Sequence, residues 1–391
     1  MILLDKPFVS DFVKATIRDN ALPVVKTDMA VACGFGAEPY LLDEETAIQR
    51  AAATADLMIY TTSENAIGWI ARNLAFTGLP DQIDQFKNKA KFRALATSLH
   101  PEFFFEEVAL DDLEELALDD MPLPFVIKPS VGFFSMGVYI VPDAAAWEQT
   151  KRSIHAEMAA VKDLYPPAVL DSTAFVIEQY IEGEEYAIDA YFDANGEPVI
   201  LNILKHVFSS SDDVSDRVYL SSKEIIEDNI EPFTAYLQAI GALTQIRNFP
   251  VHVELRRDNA GHIIPIEINP MRFGGWCTTA DMTYFAYGFN PYLTYFSQQR
   301  PDWDELLKDK GGKLYSVIVL DNSTGVDGNQ ITAFDYERLL SGFERPLDLR
   351  KIDYREYPVF GFLFAETRTE NFAEIEAILR SDLSEFITVS P

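Results

Sequence analysis

Cysteine is nearly absent from this 391-residue chain, with Cys33 and Cys277 far apart in sequence. Two isolated thiols offer no disulfide framework, and they fit reduced thiols in a reducing cytosol, so a cytoplasmic location is expected. Histidine is scarce too, and His100, His155 and His262 have no histidine or cysteine partner at zinc-ligand spacing. No apolar run reaches the roughly 18 uncharged residues of a membrane span. The opening Met1-Ile2-Leu3-Leu4-Asp5-Lys6 puts charge inside the apolar run and has no basic leader, which argues against a secretory signal. Basic residues are outnumbered, 32 Lys and Arg against 62 Asp and Glu, for a formal net charge of −30. A field of that sign repels nucleic acid and anionic membranes, so neither is expected as a partner. It also makes any local gathering of lysine and arginine informative. No internal repeat or low-complexity linker occurs. No Walker loop of the form G-x-x-x-x-G-K-[ST] and no Gly-x-Ser-x-Gly elbow is present either.

The chain is 48% hydrophobic, and at this length it can form two or three domains. Strands are expected at 1–4, 23–26 and 57–61, alternating with helices at 10–20, 43–53 and 64–76. That alternation implies a parallel, doubly wound sheet over residues 1–86. Next come a basic helix at 86–99, a strand at 103–105, an acidic helix at 111–118, a hairpin at 124–141 and a long helix at 143–164. Strands at 174–179 and 185–192 lead to a further hairpin. From about residue 301 to 391 a strand at 314–320, a helix at 336–341, a strand at 359–365 and a helix at 372–379 form a small α+β extension. The Phe and Tyr clusters at 103–105 and 284–296 read as core, and Gly34-Phe35-Gly36 reads as a turn.

The chemistry concentrates in Pro265-Ile266-Glu267-Ile268-Asn269-Pro270 and in Glu254, thirteen residues before Glu267. Residues 251–255 alternate, 256–262 have turn chemistry, and 263–268 return as a second strand. Alternate strand residues share a face, so Glu267 and Asn269 point together and Glu254 can sit beside them. Two carboxylates and an amide oxygen form a hard-oxygen set suited to Mg²⁺, with Mn²⁺ as an alternative. Upstream, Lys128-Pro129-Ser130-Val131-Gly132 and Ser135-Met136-Gly137-Val138 form a glycine-punctuated loop between strands. Gly132 and Gly137 free the backbone to aim N–H groups at an anion, Ser135 adds a hydroxyl, and Lys128 adds a point charge. His252 shares the Glu254 face, as a residue orienting the site or as ordinary packing. Gly274-Gly275-Trp276-Cys277 could line an acceptor pocket.

The Lys128-to-Gly137 loop resembles the phosphate loop of the ATP-grasp superfamily. Glu178-Gln179-Tyr180-Ile181-Glu182-Gly183-Glu184-Glu185 resembles its adenine and ribose segment, and Glu254, Glu267 and Asn269 resemble its metal ligands. The three motifs stand in the family's order over about residues 87–275. The resemblance implies an ATP-grasp fold at 87–300, with a lid at about 122–180, after the doubly wound α/β domain and before the α+β extension. It further implies that Lys128 and Lys89 contact phosphates and adenine, with Lys87 and Lys91 close to Lys89. Glu178 would accept the adenine amino group, backbone atoms of Tyr180 and Ile181 would read the ring edge, and Glu185 would bind ribose hydroxyls. Arg272 follows Asn269 one residue later than in the family's usual Asn-x-Arg. Either a bulge restores its role on an acyl phosphate, or it holds a substrate carboxylate, or it faces solvent. Lys205 is either a phosphate contact or an ordinary strand lysine.

The expected activity is an ATP- and Mg²⁺-dependent, ADP-forming ligase joining a small-molecule carboxylate to an amine through an acyl phosphate, with amino acids the default substrates. Such a reaction draws on positioning and electrostatics, with the glycine hairpin closing over the nucleotide. A carboxylate–thiol ligase, a kinase of the same fold and a non-catalytic ATP-binding protein are the alternatives. A homodimer is possible.

Overall fold

Short apolar pairs between helices build the N-terminal layer of the computed structural model, which describes residues 1–116, 118, 121–132, 137–161, 173–210 and 215–389. Strands β1 (Ile2–Leu3), β2 (Val24–Val25), β3 (Leu41–Leu42) and β4 (Tyr60–Thr61) lie parallel in the order β3-β2-β1-β4. Nearly all their side chains are buried, as a parallel sheet covered by helices requires. The Ser10 hydroxyl caps helix Asp11–Asn20 by accepting from the Val13 N–H, and Asp43 caps Glu44–Ala53 through Thr46. The helix expected at 64–76 is broken into a 3₁₀ turn at Glu64–Ala66, a helix at Ile67–Asn73 and a second 3₁₀ turn at Ala75–Thr77.

A second sheet stands over the site. Strands β5 (Phe105–Ala109), β6 (Phe125–Pro129), β7 (Tyr139–Val141) and β8 (Ala174–Gln179) run antiparallel in the order β5-β8-β6-β7. Helix Ala144–Val161 closes one face, with Trp147, Ile154 and Met158 buried with Phe125, Ile127 and Val141. Two expectations need correction here. The strand placed at 103–105 begins where that aromatic run ends, because Phe103 closes a backbone turn onto His100 and lies under the Arg93 guanidinium. The acidic helix placed at 111–118 is only a 3₁₀ segment, Leu110–Glu115. Its like charges at helical spacing repel, and no side chain caps it.

The main body is one eight-stranded sheet. Its members are β9 (Glu184–Phe192), β10 (Pro198–Val207), β11 (Val218–Ser222), β12 (Phe249–Arg257), β13 (Ile263–Pro270) and β14 (Lys313–Asp321). After β15 (Ile331–Phe334) come β16 (Pro346–Lys351) and β17 (Val359–Arg368), and β15 pairs separately with β18 (Ile387–Val389). The order is β13-β12-β9-β10-β11-β14-β17-β16, so residues beyond 301 extend the same sheet instead of folding apart from it. Helix Lys223–Thr244 packs on one face, with Phe233 edge-on to Tyr186. Helix Thr278–Tyr287 packs on the other, where Asn202 donates to Thr283 and Phe285 meets Phe364.

Candidate active site

The β12–β13 hairpin places the acidic residues by register alone. Glu254 stands opposite Glu267 and His252 opposite Asn269, so all four project from one sheet face. A register irregularity follows, since Leu255 pairs with Pro265 and Ile266 has no partner in the ladder. Such an extra residue bends a strand and re-aims its groups. Here the freed Ile266 carbonyl accepts from Lys128 Nζ at 3.4 Å, which ties the lid sheet to the hairpin.

The cations on the site face of this hairpin meet acids. Lys89 Nζ lies 2.9 Å from Glu267, and Asn269 Nδ2 donates to Glu267 at 2.9 Å and to Glu254 at 3.5 Å. Lys128 and Arg93 grip Glu178 from β6 and helix Lys89–Ala96, at 2.5 and 2.9 Å, with all three side chains buried. Burial lowers the Lys128 ammonium despite Glu178, whereas Arg93 and Lys128 overcome burial to hold the Glu178 carboxyl low. Glu185 bonds His206 Nδ1 at 2.8 Å and Arg256 Nε at 3.0 Å. The Arg256 fork also reaches the Ile181 carbonyl at 2.6 Å and covers the Tyr180 ring.

Glu254 is the exception. Burial and then the facing Glu267 charge push its carboxyl well above the ordinary range. Glu267 is instead held far below it, because Lys89 and Asn269 outweigh burial. Two facing carboxylates with one uncompensated charge fit a divalent cation, and the Asn269 amide completes a hard-oxygen set. Among the described residues no group of three or more His, Cys, Asp or Glu side chains is arranged to hold a metal. The set therefore consists of two acids and an amide, leaving other positions to water and phosphate.

The structure brings Lys89, Lys128, Glu178, Glu254, Glu267 and Asn269 together, with Tyr180, Ile181 and Glu185 alongside. Gly132 adjoins Lys89, whose ammonium lies 3.5 Å from its carbonyl. Gly137 adopts φ 70°, and its N–H donates to the Glu157 carboxylate at 3.2 Å. A Cβ at Gly137 would lie 2.9 Å from Pro129, so both conformation and space demand glycine. Ser135 falls outside the described residues. Lys205 is not brought to the cluster. It projects from the opposite sheet face and pairs with Glu184 at 2.5 Å, as strand alternation dictates from His206.

Arg272 reaches the cluster's edge by a route other than a bulge in the ladder. Met271 takes the extra residue in a left-handed turn, φ 67°, with its N–H on the Pro250 carbonyl and its carbonyl accepting from Thr61 N–H. Arg272 then donates to Glu64 at 2.6 Å and to the Phe273 carbonyl at 2.9 Å. Glu64, Arg93, Asp189, His206 and Arg256 are site residues that the sequence reading passed over. Arg256 was accessible, two residues beyond Glu254 on the same face. Glu64 and Arg93 come from separate helical segments, and no spacing signals their approach.

Residues 121–280 match the family model of the ATP-grasp domain. A search of the curated proteins by sequence finds no match. The whole chain is similar to an L-amino acid ligase from Bacillus licheniformis, at TM-score 0.69 and 19% identity, covering 100% of this chain and 98% of that one. An N5-carboxyaminoimidazole synthase from Aspergillus clavatus, solved with ADP and an aminoimidazole ribonucleotide, gives TM-score 0.63 at 13% identity over 97% of each chain. A biotin carboxylase from Campylobacter jejuni, solved with an ATP complex, gives 0.59 at 14% identity over 100% of this chain and 91% of that one. At these identities the likeness is one of fold.

Proposed function

From the ATP-grasp domain at residues 121–280, we propose an ATP-dependent carboxylate–amine ligase that releases ADP and phosphate, with amino acids as substrates. The observation carrying this reading is the convergence of Lys89 and Lys128 on the acidic β12–β13 hairpin. Lysines serve a phosphate chain and acids a cation, and no simpler ligand needs both within one site. The named activity of the similar L-amino acid ligase supports the choice of amino acids.

Mg²⁺ would be held by Glu254, Glu267 and Asn269, where it would neutralise phosphate charge during transfer. Lys89 would leave Glu267 for the phosphates, and Lys128 would bear on them from the lid. Backbone atoms of Tyr180 and Ile181 would read the base, with Arg256 fixing that segment through the Ile181 carbonyl. Glu185 would turn to the ribose hydroxyls. The substrate carboxylate attacks the γ-phosphorus of ATP, and ADP departs as an acyl phosphate forms. The amine then attacks the acyl carbon, phosphate leaves, and the amine proton passes to solvent. Arg272, half-buried and always charged, would stabilise the oxyanion of that second step. Positioning and electrostatics supply the rate, without a covalent enzyme intermediate.

Glu267→Gln tests the cation assignment: turnover is expected to vanish while the fold survives by circular dichroism. Full activity in that variant contradicts the assignment. ADP and phosphate should appear only when pooled amino acids accompany Mg·ATP, and phosphate retained on the acceptor would identify a kinase instead.

A further inference from the structure

The segment after β13 is held in a costly backbone conformation. Trp276 and Cys277 are consecutive left-handed residues, φ 56° and 58°, and neither is glycine. Such a conformation is unfavourable for a residue with a Cβ and persists only where its surroundings enforce it. The enforcing group comes from far along the chain. Arg350, on the edge strand β16, is buried and donates Nη1 to the Trp276 carbonyl and Nη2 to Asp281, both at 2.5 Å. Its guanidinium lies 4.8 Å over the Phe8 ring and 5.3 Å over Phe364. Asp281 also accepts from Ser10 and Tyr292, at 3.2 and 3.3 Å. One guanidinium thus joins the N-terminal layer, helix Thr278–Tyr287 and the C-terminal strands at this turn.

The turn is hydrogen-bonded to the acidic hairpin as far as His252. Gly274 N–H donates to Asp189 at 3.0 Å, Asp189 bonds His252 Nδ1 at 2.7 Å, and His252 Nε2 lies 3.7 Å from Glu254. Arg272 opens the same segment. Among the described residues, none of those assigned above to phosphate or base shares a hydrogen bond or ion pair with Arg350.

We propose that Arg350 is a positioning residue: from the C-terminal strands it fixes the Gly274–Cys277 turn and so shapes the co-substrate end of the site, leaving the ATP end untouched. This assigns the strands beyond residue 301 a part in co-substrate binding, and it rests on the ligase reading.

Arg350→Lys is the informative variant. A lysine keeps the charge beside Asp281 but lacks the planar fork needed to hold Asp281 and the Trp276 carbonyl together. The expected result is an unchanged Mg·ATP Kd by calorimetry, a rise of about tenfold in the amino-acid KM, and a changed Trp276 emission. That emission is taken as the difference from the same protein with Trp276→Phe. Unchanged emission with an unchanged amino-acid KM overturns the proposal. So does equal weakening of ATP and amino acid, which would mark a general structural role. If no amino acid supports turnover in the wild type, the ligase reading fails on its own. Altered emission at constant ATP affinity would then still support the Arg350 clamp, and unaltered emission would overturn it.

Discussion

Glu254 apart, the charged side chains of the site are paired. Lys89 answers Glu267, Lys128 and Arg93 answer Glu178, Arg272 answers Glu64, and Arg256 answers Glu185. A buried charge deprived of its partner costs far more than the pair contributes. Glu178→Gln leaves two buried cations facing an amide, so stability should fall by about 3–5 kcal/mol in urea unfolding. Glu64 gives a pH signature. Burial alone would raise its carboxyl, but Lys87 and Arg272 outweigh burial and hold it at about 2, against an ordinary 4.5. The unfolded chain therefore takes up this proton first as pH falls. The stabilisation, on the order of 3 kcal/mol, is complete above about pH 4.5 and disappears as pH approaches about 2. Glu64→Gln should lack that increment at neutral pH, so the stability difference from wild type should narrow across this window. A difference independent of pH would refute the assignment. Gly274 faces a different constraint, for a Cβ there would lie 2.3 Å from Thr279 Oγ1. Gly274→Ala should cost about 1–3 kcal/mol and distort the turn that Arg350 holds.

Among the elements, the hairpin carrying Glu254, Glu267 and Asn269 could be read directly, because strand alternation dictates its faces and apolar residues mark its strands. The Ile266 irregularity could not, since nothing local distinguishes it from its neighbours. Strand β10 is buried almost throughout, so it shows no alternation, and up to Lys205 it is apolar except for Asn202. Helix Lys223–Thr244 was obscured by Pro232 in its interior, a residue that normally ends or kinks a helix. The C-terminal strands looked separate because sequence distance hides that β14 pairs with β11. Val218 and Leu220 share a core with Ile318, Leu320 and Phe360. A chain ending at residue 300 should therefore be insoluble or unfolded, with the β11 edge bare. A soluble, cooperatively melting fragment would contradict that dependence.

For the whole molecule, a net charge of −30 sets the field in which these local cations work. Self-repulsion should destabilise the native state at low ionic strength. Raising NaCl from about 0.05 to about 0.5 M should therefore raise Tm by roughly a few degrees, and a falling Tm would show that attractive pairs dominate. The same field would repel a triphosphate at long range, so in the proposed ligase ATP capture would depend on Lys89 and Lys128 at close quarters. No helix among the described residues is long and apolar enough to cross a membrane. The central claim is that a substrate carboxylate oxygen becomes part of the phosphate released. Turnover of Mg·ATP with an amino-acid pool carrying ¹⁸O in its carboxylates, followed by mass spectrometry of the phosphate, tests this directly. Phosphate carrying one ¹⁸O beside unlabelled ADP is the predicted result. Unlabelled phosphate, or label in AMP with pyrophosphate as the other product, would contradict it.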